Sequence, residues 1–501
     1  MKRIFKGIAA LSLAATVFAT SAVTTNAMND SYTYNYDYWG DVQASPDFYT
    51  VRRVFNHQEL GLQDRMKNPQ GMFAIGNKLY VCDTGNNRII EMMAGENESL
   101  SVVKTFDSIK GDVEIKELNT PTDIAISEDG NIFIADKGNA RILKLDENLN
   151  YLMQFDVPVD STLDPNMIFQ PSKIAVDTAE RVYCVATGIN KGLVKYESDG
   201  VFSGFVGAAE VAFDWTDYIW KKFATQAQRE KMEDFVPTEY ENLYMDYEGF
   251  IYVVNGNSSA EDLKAEKAKA VKKLNLMGSD ILVQNGEYPV YGDLYMGNGG
   301  GHEGPSRFTD VTCLENDIYM CLDRNRGRVF GYDDQGNMMF AFGGNGNMDG
   351  YFRYPTAIEH IGHDLYVLDS QDCSITMFVP TDFGNTVYEA IEQFDLGNYD
   401  RSGECWQKAM DLNGNYNQAY IGLGRAHLRQ EEYGDALEYF ELKYDAENYS
   451  KAYKQYRKGW VQDNIGIIIV VLLLLILVPN GIGRVKQIKH EIETADIFKV
   501  D

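Results

Sequence analysis

Apolar residues in the first two thirds of the chain fall in short runs of about five, separated by tight polar turns. "KLYVCDTGNNRII" (Lys78–Ile90), "NIFIADKGNARIL" (Asn131–Leu143) and "DIYMCLDRNRGRVF" (Asp317–Phe330) share one pattern. In each, a strand-like run has an aromatic near its start and an Asp at its end, followed by a polar loop and another apolar run. Similar units begin at Asn68, Thr120, Gln170, Asn242, Phe308 and Tyr354, the fourth carrying an insertion. Period-2 runs joined by Asp-Gly or Gly-Asn type turns predict hairpins. Most units add one more run, as in "SVVKTF", "YLMQF" and "MMFAFG". Four strands repeated six times predict a mainly β fold, a six-bladed β-propeller. The sixth unit lacks an outer strand. Asp47–Phe55, "DFYTVRRVF", is placed to supply it and so close the ring without an open edge.

The units "CDTGNNRII", "ADKGNARIL" and "LDRNRGRVF" resemble NHL repeats, and "FGGNGNMDGYFRYP" (Phe342–Pro355) is similar to their inter-blade connector. The likeness covers roughly 47–380. It weakens in units three, four and six, which have Ala186, Asn255 and Ser374 at signature positions. The resemblance implies a binding platform, although some six-bladed relatives are lactonase- or lyase-like. An interruption between units three and four predicts a helical excursion, about 208–240, because Trp215–Phe235 has helical spacing without Gly or Pro. With the Tyr-rich "SYTYNYDYWG" (Ser31–Gly40), it resembles exported NHL-propeller proteins of clostridia-like bacteria.

After the propeller the pattern becomes helical. Tyr399 maps onto Tyr433, Ser402 onto Ala436 and Trp406 onto Phe440, a shift of 34 residues. Leu423-Gly424, Tyr433, Ala436 and Phe440 resemble the packing positions of tetratricopeptide repeats. That likeness implies a small α-helical bundle over 384–462, suited to protein contact. A further helix, Ser450–Trp460, is expected to cap it and can continue into the segment that follows. Asn464–Gly483 holds no charge and is long enough for one transmembrane helix, leaving a tail at 484–501. Residues 1–27 place Lys2, Arg3 and Lys6 before a short apolar core and small residues, the layout of a signal peptide. The expected propeller domain is therefore 28–383. On this reading the body lies outside the cell membrane and the C-terminal tail is cytoplasmic.

The formal net charge of −28 opposes phosphate backbones, so no nucleic acid partner is expected. Of the six cysteines, Cys82, Cys184 and Cys321 lie within strand-like runs, which fits buried free thiols. Were a disulfide present, Cys313 and Cys321 are the best-placed pair. Metal-type cysteine spacing, a GxSxG elbow and a phosphate loop are all missing. The Gly-rich Met296–Phe308 reads as a connector. No catalytic residue, metal or cofactor is assigned.

Asp83, Asp136, Asp323 and Asp369 end the second strand of their units, with Arg88, Arg141 and Arg328 five residues on. Recurrence at blade period predicts a structural clasp, the Asp capping the turn and the Arg reaching back. The first-strand register Gly71, Asp123, Lys173, Asn242, Asp310 and Ala357 predicts a ring at one axial mouth. Its polar members, Asp123, Lys173, Asn242 and Asp310, are the candidate ligand-binding residues, against the alternative of a hydrated ring paired within itself. Asp123, Asn242 and Asp310 offer oxygens to a hard cation, but Lys173 opposes one. His360 and His363 flank a turn and read as surface or turn residues. The expected function is a membrane-anchored extracytoplasmic binding or scaffold protein, with an unknown extracellular ligand or membrane protein complex as partner. The alternative is a metal-dependent lactonase- or lyase-like enzyme working at the axial ring.

Overall fold

The computed structural model describes residues 32–37, 39–161, 163–164, 167–208, 240–286, 288–294 and 304–497. The expected signal peptide and the helical excursion at Trp215–Phe235 lie outside them, as does part of the connector 296–308. Two compact units divide at about Tyr388 and Glu389.

The first unit is a six-bladed β-propeller, as the repeats predict. Blade one is Gly71–Ile75, Lys78–Asp83, Arg88–Gly95 and Ser99–Phe106; blade two is Pro121–Ile126, Ile132–Asp136, Arg141–Leu145 and Tyr151–Phe155. Blade three is Pro171–Val176, Val182–Ala186, Leu193–Tyr196 and Phe202–Val206. Blade four has three strands among the described residues, Asn242–Met245, Ile251–Val254 and Val271–Leu274, with a short helix, Ala260–Lys264, before the third. Blade five is Phe308–Cys313, Tyr319–Asp323, Arg328–Tyr332 and Met338–Gly343. Blade six, Pro355–Ile361, Asp364–Asp369 and Ser374–Pro380, is completed by Tyr49–Phe55, which pairs antiparallel with its third strand. The predicted ring closure is therefore present.

The aromatic near the start of each second strand is Tyr80, Phe133, Tyr183, Tyr252, Tyr319 or Tyr366, and all six are buried. These rings fill the space between neighbouring sheets. Each contributes about 3 kcal/mol of apolar burial before entropic costs.

One element is absent from the expected plan. The Tyr-rich segment forms a hairpin, Thr33–Tyr36 with Val42–Ala44, that joins the outer edge of blade five and makes it six-stranded. The hydroxyls of Tyr34 and Tyr36 both donate to Asp293, Tyr34 at 2.9 Å. Arg328 reaches the same carboxylate at 2.7 Å.

The clasp also takes shape. Asp83 accepts from the Lys67 backbone N–H at 2.7 Å, Asn86 Nδ2 at 2.9 Å and Arg88 Nε at 2.7 Å. Asp136 repeats this with Asn119 N–H, Asn139 and Arg141. Asp369 holds the backbone N–H groups of Arg353 and Tyr354 instead. The residue after this turn is left-handed, Asn87 at φ 53°, Ala140 at 55° and Cys373 at 53°. Blade five corrects the expectation. Arg328 does not reach back to Asp323, because Asp293 and the Tyr34 hydroxyl hold its guanidinium. Asp323 accepts from the Arg307 and Asn325 backbone N–H groups instead. All six cysteines are buried and free.

The second unit is helical: Tyr399–Leu412, Asn417–Arg429, Tyr433–Leu442 and the 52-residue Ala446–Ile497 follow one another. Small residues permit close packing. A Cβ on Gly422 would lie 2.3 Å from the Trp406 ring, and one on Gly424 would lie 2.6 Å from Phe440. The cap and the apolar span form one continuous helix through Pro479. Among the described residues it is the one helix long and apolar enough to cross a membrane.

Candidate functional site

In blades two, three, five and six the ladder between the first two strands slips by one residue, at Thr122, Ser172, Thr309 and Thr356. A bulge of this kind re-aims the next side chain, and the next residue is in each case the ring position: Asp123, Lys173, Asp310 or Ala357. Blades one and four show no such slip, and in blade one the ring position is glycine. A Cβ on Gly71 would lie 2.4 Å from the Thr122 carbonyl oxygen and 2.7 Å from Asp123 Oδ1.

The structure brings the predicted ring together, and its polar atoms are spent largely on the neighbouring blades. Asp123 Oδ2 accepts from the Ile174 N–H at 2.8 Å. Lys173 Nζ donates to the Gln70 carbonyl at 3.2 Å and lies 3.9 Å from Asp123 Oδ1. Asn242 Nδ2 donates to Asp310 Oδ1 at 2.5 Å, and Asp310 also accepts from the N–H groups of Val311 (2.9 Å) and Ile358 (2.7 Å). Burial pushes the Asp123 carboxyl up to about 6, against the pull of Lys173. Asp310 is pushed up to about 7 by burial, again opposed by Lys173. Asp123 supports the charged form of Lys173, whose pKa is raised despite burial.

These residues form the inner end of an axial cavity of about 450 Å³. Phe73, Ala125, Ala175, Tyr244 and Glu359 line the next level, and Ser127, Glu128, Asp177, Glu248 and Gly249 stand at the turns beyond. Seven of the lining side chains are acidic and two, Lys173 and Arg181, are basic. Asp177 holds Arg181 at 2.6 Å, and Asp246 holds Lys273 at 3.1 Å.

Glu359 is the site residue that sequence reasoning missed. It lies two residues beyond Ala357 on the same strand, so it faces inward on the same side. It is 5 % exposed. Burial, with Asp310 and Asp123 nearby, holds its carboxyl well above the usual range. A Glu on the inward face of a first strand was the available signal. Of the two histidines, His363 lies in the turn as expected, whereas His360 sits on the strand Pro355–Ile361. His360 is largely buried, its Nδ1 is 2.7 Å from Thr312 Oγ1, and burial lowers it to about 4. His363 stacks on Tyr388 with ring centroids 4.4 Å apart.

The ring does not fit a hard cation. Such an ion needs six or more free oxygens at 2.3–2.6 Å. Asp310 is already occupied by three N–H donors, and the Lys173 ammonium stands beside Asp123. Among the described residues, the one cluster of three His, Cys, Asp or Glu side chains with ligand atoms within 4.8 Å of one another is His427, Glu432 and Asp435, in the helical unit.

A six-bladed propeller with a polar axial cavity defines the class, and one family-model match falls within a blade. The family model for the NHL repeat matches residues 118–145, which belong to blade two. No curated protein sequence matches the chain. Among solved structures, a streptogramin B lyase is 11 % identical, with a TM-score of 0.39, covering 67 % of this chain and 100 % of its own. Virginiamycin B lyase from Staphylococcus aureus is 9 % identical, with a TM-score of 0.37, covering 66 % of this chain and 99 % of its own.

Proposed function

We propose that the protein is a membrane-anchored extracytoplasmic binding or scaffold protein, in which the axial cavity of the propeller takes a small polar ligand. The observation that carries this is the 450 Å³ cavity, which combines aromatic walls with charged side chains. That pairing is the composition of a ligand site, not of a packed propeller core. Export is supported by the basic, apolar and small-residue order of 1–27, and anchoring by Asn464–Gly483. In this reading the propeller spans 28–383 and faces outward. The tetratricopeptide-like bundle, 384–462, contacts a protein partner, and 484–501 is cytoplasmic. Two observations favour binding over turnover: the ring carboxylates are committed to backbone donors, and the ring does not fit a metal.

The test uses the full-length chain in detergent micelles, screened by thermal shift against small polar ligands, glycans and peptides. A ligand that stabilises the parent, but not an Ala175→Leu variant with a partly filled cavity, supports the reading. Appearance of a ligand-derived product by mass spectrometry would replace it with the lyase-like alternative. Stabilisation that ignores Ala175→Leu would move the site elsewhere on the propeller.

A further inference from the structure

Glu359 is a buried carboxylate that lines the axial cavity, held by the N–H of the next residue, His360, and by no side-chain donor among the described residues. That distinguishes it from Asp123 and Asp310, whose oxygens accept N–H groups from neighbouring blades. A buried carboxylate with so few donors is costly to ionise unless a cation satisfies it. Lys173, the cation nearest the ring, is engaged by Gln70 and Asp123. The site therefore offers a buried carboxylate with acceptor capacity to spare and an acidic approach. Beside it stand two aromatic walls, Phe73 and Tyr244. Tyr244 is close enough to Glu359 to feel its charge.

We propose that the axial cavity binds a small organic cation, a free alkylammonium compound, with Glu359 as its counter-charge and Phe73 and Tyr244 as the surfaces it packs against. This rests on the reading of the cavity as a ligand site. A carboxylate supplies the charge-assisted hydrogen bond that an ammonium group needs, and ring faces attract the same positive charge. An anion would meet a lining in which acids outnumber bases seven to two. A metal ion would find the ring carboxylates held by N–H donors and the Lys173 ammonium beside them, a poor replacement for its water shell.

The experiment is calorimetric titration of the full-length protein in detergent at pH 8 with n-butylammonium chloride and tetramethylammonium chloride. Sodium butyrate and n-butanol serve as the anionic and neutral comparisons. The expected result is saturable binding of the ammonium probes only. Glu359→Gln should weaken it about tenfold or more, while Glu359→Asp, which keeps the charge, should retain most of it. Circular dichroism of both variants confirms folding. Equal ammonium binding by parent and Glu359→Gln overturns the proposal. So does preferred binding of butyrate or butanol. If Ala175→Leu abolishes that anionic or neutral binding, the cavity remains a ligand site and only its cation selectivity falls. If no probe binds and the wider thermal-shift screen is also silent, both readings fall.

Discussion

Arg141 and Asp136 are both buried, and their 2.9 Å ion pair ties a blade-two turn to the connector that precedes it. Removing one member of such a pair strands the other without water. Arg141→Met should therefore cost about 3–5 kcal/mol in urea unfolding. Arg401 pairs with Glu389 at 2.7 Å but in solvent, so Arg401→Ala should leave the unfolding midpoint where it was. An equal loss from both would remove the burial argument. Glu359 gives a residue-scale prediction of opposite sign. Its carboxyl is raised by burial and then by Asp310 and Asp123, with Lys173 and the His360 N–H pulling it down. The native chain thus keeps a proton that the unfolded chain releases above about pH 4.3. Its stabilising contribution is complete below that pH and is lost as pH rises through the native value. Glu359→Gln should melt above the parent at pH 8, with the difference closing toward pH 4 in scanning calorimetry. A gap independent of pH would refute this. The clasp was legible in the sequence because it recurs at blade period, whereas Glu359 occurs once and repeat comparison cannot single it out. The ring lay between these cases. Its register was readable, but the bulges that aim it, and the backbone donors that occupy it, depend on pairing across strands.

The same distinction governs the elements. The blades follow from repeated local pattern, since their strands pair with sequence neighbours, and the closing strand Tyr49–Phe55, which pairs with the distant Ser374–Pro380, follows from the strand that the sixth unit lacks. The N-terminal hairpin fills no such gap: it adds to a blade that already has four strands, Thr33 pairing with Phe342 some three hundred residues away. Its signal was the alternation of tyrosines at every second position, the period of a strand. That hairpin also explains why blade five breaks the clasp rule. Asp293, loaded with two tyrosine hydroxyls, outcompetes Asp323 for Arg328. The two partners should then differ in a measurable way. Tyr34→Phe removes one donor from a carboxylate that keeps Arg328, and should cost about 1–2 kcal/mol. Arg328→Met takes the main counter-charge from buried Asp293 and should cost about 3–5 kcal/mol. Chemical denaturation of the two variants checks the order. A larger loss from Tyr34→Phe would mean that the tyrosine, not the arginine, holds the hairpin.

For the molecule as a whole, the last helix decides where the acidic body can reside. Its apolar stretch Ile465–Val478 exposes all of its large side chains but the half-buried Ile468, and none of the most apolar window is buried in the chain. Thirteen Ile, Leu and Val side chains in that stretch, at about 1.5–3 kcal/mol each, place tens of kcal/mol of apolar transfer energy on one helix. Among the described residues nothing in the helical unit covers this stretch, which makes it a candidate to cross a bilayer. The flanking chemistry agrees: Tyr456 and Trp460 precede the span, and Arg484, Lys486 and Lys489 follow it. The body itself, in a chain of net charge −28, has no general attraction for an anionic lipid surface. Attachment should therefore be hydrophobic, not electrostatic. The full chain is expected to remain with membranes through washes in high salt and in alkaline carbonate. A chain ending at Asp463 should move to the soluble fraction with its propeller folded by circular dichroism. Release of the full chain by salt alone would show that charge holds it. Membrane retention of the truncated chain would place the anchor elsewhere, and the apolar helix would then need a protein partner to cover it.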